Sequence, residues 1–127
     1  MRKPKSIYPQ LALCLLIGLL TLPVHAADDS CKDAATTAAV RACENTRYQK
    51  ADQELNAIYA KLTKQLEPAR QEKLRQSQRA WLAFRDANAD FLAGAAEGGT
   101  LAPLIKVTVM AEMTEARTQE LQKQAQH

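Results

Sequence analysis

The helix-breaking residues of this 127-residue chain are confined to a few positions. Between Ala27 and Ala93 there is no glycine and a single proline, Pro68, whereas three glycines and a proline follow within residues 94–103. Apolar residues between these breaks recur at three- and four-residue steps, and no stretch of strand length alternates apolar with polar residues. The sequence therefore predicts an all-α fold, an up-down-up bundle of three helices spanning about 37–66, 68–92 and 103–123.

Each predicted helix has an apolar stripe that we expect to face the core. In the first helix the stripe runs from Val40 to Leu66 and includes Tyr48, and in the third it runs from Leu104 to Leu121. Thr36 or Thr37 is suited to cap the first helix, and Pro68 and Pro103 to open the second and third. The stripe of the second helix consists of five residues, Leu74, Trp81, Phe84, Asn88 and Phe91, with Ala80 and Ala87 beside them.

The amino-terminal segment 1–26 has the three parts of a secretory signal peptide. Three basic residues lie within its first five positions, an apolar run occupies residues 11–22, and a small-residue cleavage site ends at Ala26. We therefore expect this segment to be removed and residues 27–127 to form one helical domain, located in the periplasm or secreted from a bacterial cell.

Two other interpretations of the amino terminus are weaker. An uncleaved anchor is disfavoured because a bilayer takes about 20 apolar residues to span, more than this run provides. A lipoprotein modified at Cys14 is disfavoured because the bulky Leu13 stands where a small residue is needed.

Loss of the signal changes the charge of the chain. The full sequence has 17 basic and 14 acidic side chains, and three of the basic ones belong to the signal, so the mature domain has 14 of each. A net charge of zero gives no support to nucleic-acid binding. We also expect no membrane association after cleavage.

Cys31 and Cys43 are the cysteines of the mature domain. In an oxidising compartment an isolated pair is most simply one disulfide, here at the amino-terminal end of the bundle. Closing a loop of this length would stabilise the fold by about 3 kcal/mol in the chain-entropy model.

The up-down-up order predicts opposite charges at the two ends of the bundle. One end, which we call the acidic end, contains residues 27–36 and 86–105, with net charges of −2 and −3. The other, which we call the basic end, contains residues 61–79, with a net charge of +4. A neutral domain would thus present an acidic surface beside its disulfide and glycine-rich turn.

The mature domain contains few residues suited to catalysis or metal binding. Its one histidine is the terminal His127, and both cysteines are expected to be paired, so a nucleophile and base are missing. Zinc would require a cluster of His or Cys residues, and pairs such as Glu112 and Glu115 are common on solvated helix faces. We therefore predict no catalytic residues, no metal and no cofactor.

The segment 78–87 contains the single tryptophan of the chain. Trp81 and Phe84 are expected to pack in the core. Arg85 and Asp86 project about 100° apart on a helix, so we expect them not to pair with each other, and Arg117 is the candidate partner of Asp86.

An ordered set of residues along the mature chain resembles the LprI-type lysozyme inhibitor family. The set comprises Cys31, Ala35-Thr36-Thr37, Cys43, Tyr48, Ala51-Asp52, Glu54-Leu55-Asn56, Tyr59, Gln78-Arg79-Ala80-Trp81, Arg85-Asp86-Ala87, Gly98-Gly99-Thr100, Thr114, Arg117-Thr118 and Leu121. The resemblance implies a helical exported domain, with lysozyme inhibition as the activity. Members often have a second cysteine pair, and Ala89 and Val109 stand at those places here.

The leading hypothesis is a protein of the cell envelope that inhibits lysozyme-like muramidases by occluding their surface. C-type lysozymes are basic, so an acidic end would steer them, and four loop residues are the candidate contacts: Glu97, Gly98, Gly99 and Thr100.

The alternative is a non-enzymatic adaptor, or an immunity-type partner of another secreted protein, that binds through the basic end or the Trp81 helix. An enzyme built on paired carboxylates is the third possibility. The sequence allows a monomer or a homodimer.

Overall fold

The computed structural model describes residues 31–126, which form three α-helices: α1 (Thr37–Gln65), α2 (Pro68–Gly94) and α3 (Leu101–Gln124). The described range contains no β-strand. This confirms the all-α prediction, with α2 extending two residues further and α3 starting two residues earlier than expected. The proposed signal peptide lies outside the described residues.

The helix boundaries follow from local sequence signals. Thr36 caps α1, because its Oγ1 accepts a hydrogen bond from the backbone N–H of Ala39 at 3.1 Å. At the other end, Leu66 and Glu67 are extended, which is the conformation that a following proline favours. Pro68 then occupies the first turn of α2, where its missing N–H costs no helical hydrogen bond.

The helix α3 packs against both other helices and holds the bundle together. Arg47 contacts Glu115, and further along both helices Leu55 and Leu62 pack with Leu121, so α1 runs parallel to α3. Contacts from Gln78 to Arg117 and from Asn88 to Met113 show that α2 runs antiparallel to α3. This is the up-down-up arrangement, and a groove of about 310 Å³ separates the middle of α1 from α2.

The apolar core lies toward the Pro68 turn. Leu55, Leu62 and Leu121 form its buried centre, and Trp81 and Leu74 of α2 pack against them. Toward the other end the interior is filled by small or polar side chains, including the fully buried Ala89, Ala111 and Thr114. The Cys31–Cys43 disulfide, with Cα atoms 5.5 Å apart, joins the start of the described chain to α1 as predicted.

The expected buried face of α2 is wrong in two of its five residues. Phe84 is 61% exposed and Phe91 is 78% exposed, and Ala80 and Ala87, expected beside them, are exposed as well. The buried positions of α2 are instead Arg85, Ala89 and Ala93. Small side chains at 89 and 93 let α3 approach closely, which turns the Phe side of α2 toward solvent.

Candidate functional site

The turn between α2 and α3 contains the four residues predicted to contact a partner, and all four are exposed. Its backbone is closed by hydrogen bonds from the N–H of Ala96 to the carbonyl of Ala93 at 3.0 Å, and from Gly99 to Ala96 at 3.1 Å. The turn is therefore compact and projects Glu97 from the end of the bundle.

Gly98 has a φ of +82°, in the left-handed region that side chains disfavour. A Cβ at this position would meet open space among the described residues, so the requirement for glycine comes from the backbone conformation alone. At Gly99 the constraint is one of space, because a Cβ would lie 3.3 Å from the carbonyl oxygen of Ala96.

A surface recess of about 330 Å³ lies between the turn and the start of α1. Hydroxyl side chains line much of it, from Thr100 on one side and Thr36 and Thr37 on the other, and Arg41 supplies a positive charge. The last of the four predicted residues thus lies beside the first turn of α1, where polar groups from two segments are within reach of one ligand.

The acidic end is less acidic than the sequence predicts. Asp90 forms an ion pair with Lys106, which follows directly after the range counted as acidic. Asp86 is paired with Arg85 at 2.8 Å. Glu97 and Asp33 are the acidic groups of this end for which the described range shows no ion pair, and Asp28 and Asp29 lie outside that range.

The pairing of Arg85 with Asp86 contradicts the prediction that consecutive residues on a helix would not meet. Arg85 is buried, and its long side chain folds back so that Nε donates to Oδ1 of Asp86 at 2.9 Å. The same guanidinium reaches inward, with Nη1 3.4 Å from Oγ1 of Thr114. The side-chain length of arginine thus overcomes the 100° between the two Cα–Cβ directions.

Two aromatic rings flank the Arg85 guanidinium. Its Cζ lies 5.3 Å from the ring centroid of Trp81 and 5.5 Å from that of Tyr48. Arg85 and Trp81 are both on α2, so the contact with Tyr48 of α1 is the one that joins two helices that otherwise pack mainly through α3.

The predicted contact between Arg117 and Asp86 is also wrong. Buried Arg117 donates instead to Gln78 at 3.2 Å and to Ser77 at 3.0 Å on α2, and it pairs with Glu120 on its own helix at 2.7 Å. Its Cζ lies 5.9 Å from the Trp81 ring, so Trp81 contacts two buried arginines. Arg117 is therefore buried and Trp81 packs against it, whereas Phe84 and Asp86 of the same predicted set are exposed.

A third arginine joins α1 to α3. Arg47 donates through Nε and Nη2 to the two carboxylate oxygens of Glu115, at 2.7 and 2.6 Å, and through Nη1 to the buried Glu44 at 3.2 Å. The hydrogen bond to Glu115 is the main reason that the pKa of Arg47 is raised, and partial burial opposes it. The guanidinium therefore stays charged at any physiological pH.

Sequence reasoning missed this network of arginines. It assigned Tyr48 to an apolar stripe and treated Glu115 as a solvated carboxylate. The signal that could have revealed it is the recurrence of arginines at core-facing helical positions, since Arg85 lies four residues before Ala89 and Arg117 three after Thr114. Of the two positions at which the resemblance implies a second cysteine pair, Ala89 is fully buried and Val109 is half-buried.

Residues 31–126 contain no cluster of three side chains that could hold a metal ion. Among the three helices none is long and apolar enough to cross a membrane. The described residues form a three-helix scaffold with an exposed turn and a polar recess at one end.

Comparison with known proteins gives this scaffold a family. The chain is 29% identical over 125 residues to an uncharacterized protein of Rhizobium meliloti (strain 1021), an alignment that covers 87% of this chain and 89% of the relative. No solved structure matches it significantly. A family model described as lysozyme inhibitor LprI matches residues 27–121, which is most of the chain and contains all three helices up to Leu121. The chain therefore belongs to the LprI lysozyme inhibitor family.

Proposed function

We propose that this protein is exported and inhibits lysozyme-like muramidases by covering part of their surface. The observation that carries the proposal is the family match over residues 27–121, whose description names lysozyme inhibition. The family is one of secreted or envelope proteins, which agrees with the signal peptide proposed for residues 1–26. A protein partner, such as a lysozyme, is the kind of ligand that the family implies.

The turn that carries Glu97 and Thr100 is the proposed contact. It is exposed, it lies at one end of a bundle, and its backbone is held by internal hydrogen bonds, so binding would order few residues. A compact protrusion of this kind suits the cleft in which lysozymes hold their two catalytic carboxylates. The adjoining recess with Arg41 adds hydrogen-bond donors at the edge of the same contact.

Charge contributes less to this contact than shape. Asp86 and Asp90 are already neutralised by Arg85 and Lys106, so Glu97 is the acidic group of the turn itself. We therefore expect association with a basic lysozyme to depend only weakly on ionic strength. Steep loss of inhibition with salt would instead indicate a contact dominated by charge.

The proposed mechanism needs no catalytic residue, metal or cofactor. The three arginines 47, 85 and 117 make their polar contacts within the bundle. Their role is to hold the helices in one arrangement and so to fix the turn. Inhibition would then be stoichiometric, without turnover of the lysozyme or of its substrate.

The test is lysis of a cell-wall suspension by lysozymes of several types, with the exported protein added in increasing amounts. We expect inhibition to saturate near one inhibitor per lysozyme. The variant Gly98→Asp should weaken it, whereas Ala57→Asp, which adds the same charge on the exposed side of α1, should not. If a large excess leaves every lysozyme fully active, the proposal fails.

A second candidate is an adaptor or immunity-type partner that binds an acidic protein through the basic end. Residues 61–79 have a net charge of +4, and Lys61, Lys64, Arg70 and Lys73 there are all exposed. Capture of one acidic, non-lysozyme protein from envelope extract, lost in Arg70→Glu and retained in Gly98→Asp, would favour this function.

A further inference from the structure

The solvent side of α2 has an apolar surface that the inhibitor function leaves unexplained. Ala80, Phe84, Ala87 and Phe91 recur at steps of four, three and four residues, and all four are exposed. They lie on the side of the helix opposite the buried Ala89 and Ala93. We call these four residues the α2 stripe. Two phenylalanines this exposed, two turns apart on one side of a helix, are uncommon on a surface that contacts only water.

We propose that the α2 stripe binds a second copy of this chain, with the two α2 helices antiparallel about a two-fold axis that passes between Arg85 and Asp86. In this register Ala80 faces the partner's Phe91, and Phe84 faces the partner's Ala87. Each pair occurs twice because the axis exchanges the two chains, which is the property of a closed two-fold interface.

The order of side-chain sizes along the stripe supports this register. Small and large residues alternate, so the antiparallel arrangement places each phenyl ring opposite an alanine. A parallel arrangement in the same helical register would place phenyl opposite phenyl and alanine opposite alanine, which leaves a clash beside a gap. Residues spaced four, three and four apart stay on the line of contact between two helices that pack along their length.

The charge distribution along α2 favours the same direction. Residues 70–79 have four basic side chains and one acidic one, whereas residues 86–97 have no basic side chain and three acidic ones, two of which, Asp86 and Asp90, are already paired within the chain. Antiparallel pairing brings the basic half of each helix beside the acidic half of its partner, and parallel pairing would bring like charges together.

One intermolecular ion pair follows from this geometry. Asp86 and Asp90 already have partners in their own chain. The register places exposed Lys73 just past the last turn of the partner's α2, next to the turn that carries the partner's Glu97. Within residues 31–126 neither Lys73 nor Glu97 has an ion pair of its own.

The interface is small, since it is centred on one helix from each chain. Contacts of this size give weak and reversible dimers, so we expect a dissociation constant on the order of 10 μM. This inference does not depend on lysozyme inhibition, because the dimer is measured in the absence of any lysozyme.

The experiment is sedimentation velocity on the protein exported by a host that expresses the full chain, over a concentration series up to about 1 mM. We expect the dimer fraction to rise with concentration. Phe91→Glu should raise the dissociation constant at least about tenfold. Ala57→Glu, an equal addition of charge on exposed α1, should leave it unchanged. A monomer throughout the series overturns the proposal, and so does a dimer that Phe91→Glu leaves intact.

An exchange of residues tests the register itself. Ala87→Phe alone sets a phenyl ring against the partner's Phe84 and should abolish the dimer. Phe84→Ala combined with Ala87→Phe restores one ring opposite one alanine and should recover dimerisation to within about tenfold of the parent. Both positions are exposed, so the variants keep the fold, which circular dichroism checks. Equal loss in the single and double variants would overturn the antiparallel register.

Discussion

The guanidinium of Arg85 lies over the indole ring of Trp81, with Cζ 5.3 Å from the ring centroid, inside a bundle of only three helices. Arg85 is 5% exposed, and the carboxylate that pairs with it, Asp86, is largely solvated. A buried cation is stable here because aromatic faces, a threonine hydroxyl and one carboxylate share its charge and its donors.

Replacement of Arg85 by alanine should destabilise the fold by about 3 kcal/mol, because it empties the space between Trp81 and Tyr48 and removes the donor to Thr114. Arg85→Lys should also destabilise the fold, but by less, since an ammonium keeps the charge and lacks the planar guanidinium with its several donors. Urea unfolding followed by tryptophan fluorescence measures the free energy of unfolding of both variants.

The matched control is Arg79→Ala on the same helix. The Arg79 side chain is 70% exposed, and its nearest carboxylate oxygen, on Glu72, is 4.0 Å away. Its replacement should change the free energy of unfolding by less than about 0.5 kcal/mol. Equal effects at positions 79 and 85 would contradict a structural role for the buried guanidinium.

The two-pronged contact between Arg47 and Glu115 should be the strongest ion pair between α1 and α3. A double-mutant cycle with Arg47→Met and Glu115→Gln is expected to give a coupling free energy of about 1–3 kcal/mol. The more exposed pair of Arg75 and Glu72 serves as control and should couple more weakly, because solvent screens it. Similar coupling in both cycles would show that burial adds nothing.

The three helices could be predicted from sequence because proline and glycine positions fix where helices end, whatever the helices pack against. The buried face of α2 could not be predicted, because α2 has two candidate stripes. One contains Phe84 and Phe91, and the other contains Arg85, Ala89 and Ala93. Hydrophobicity favours the first, whereas close packing on α3 selects the second, and that preference depends on α3.

The candidate site likewise has features that the sequence predicts and features that it does not. The turn follows from local sequence, because its glycines interrupt the helical pattern, whereas the left-handed backbone at Gly98 is seen only in the structure. The charge around the turn could not be predicted from the sequence. Lys106 lies one residue past the segment whose charges were counted, and it forms an ion pair with Asp90. Long side chains thus redistribute charge over distances that a count along the chain does not capture.

Removal of the disulfide should cost about 3 kcal/mol, since Cys31 and Cys43 are 12 residues apart and their link restricts the unfolded chain. The variant Cys31→Ala/Cys43→Ala, unfolded in urea, measures the loss. Treatment of the parent protein with a reductant should reproduce it, and the same reductant should leave the double variant unchanged. A variant as stable as the parent would contradict this estimate.

The carboxylate of Glu72 should titrate at lower pH in the folded protein than in the unfolded chain. Hydrogen bonds from Arg75 and then Gln76 favour its charged form and lower its pKa. The stabilisation is therefore present above the unfolded pKa and is lost as pH falls through the folded pKa. A nuclear magnetic resonance titration of the Glu72 carboxyl group tests this, and Arg75→Gln should return the pKa toward its ordinary value.

Gly98 and Gly94 lie four residues apart and should respond in opposite ways to alanine. At Gly98 the φ of +82° makes any side chain unfavourable, so Gly98→Ala should destabilise the fold by about 1 kcal/mol. Gly94 ends α2 with negative φ and open space beside its Cα, so Gly94→Ala should be neutral or stabilise by up to about 1 kcal/mol. Thermal unfolding compares the two variants directly.

Because Gly98 is in the turn proposed to meet a lysozyme, Gly98→Ala should also weaken inhibition of lysis at temperatures where both variants remain folded. Inhibition that falls equally in both variants would show that the shape of the turn does not determine binding.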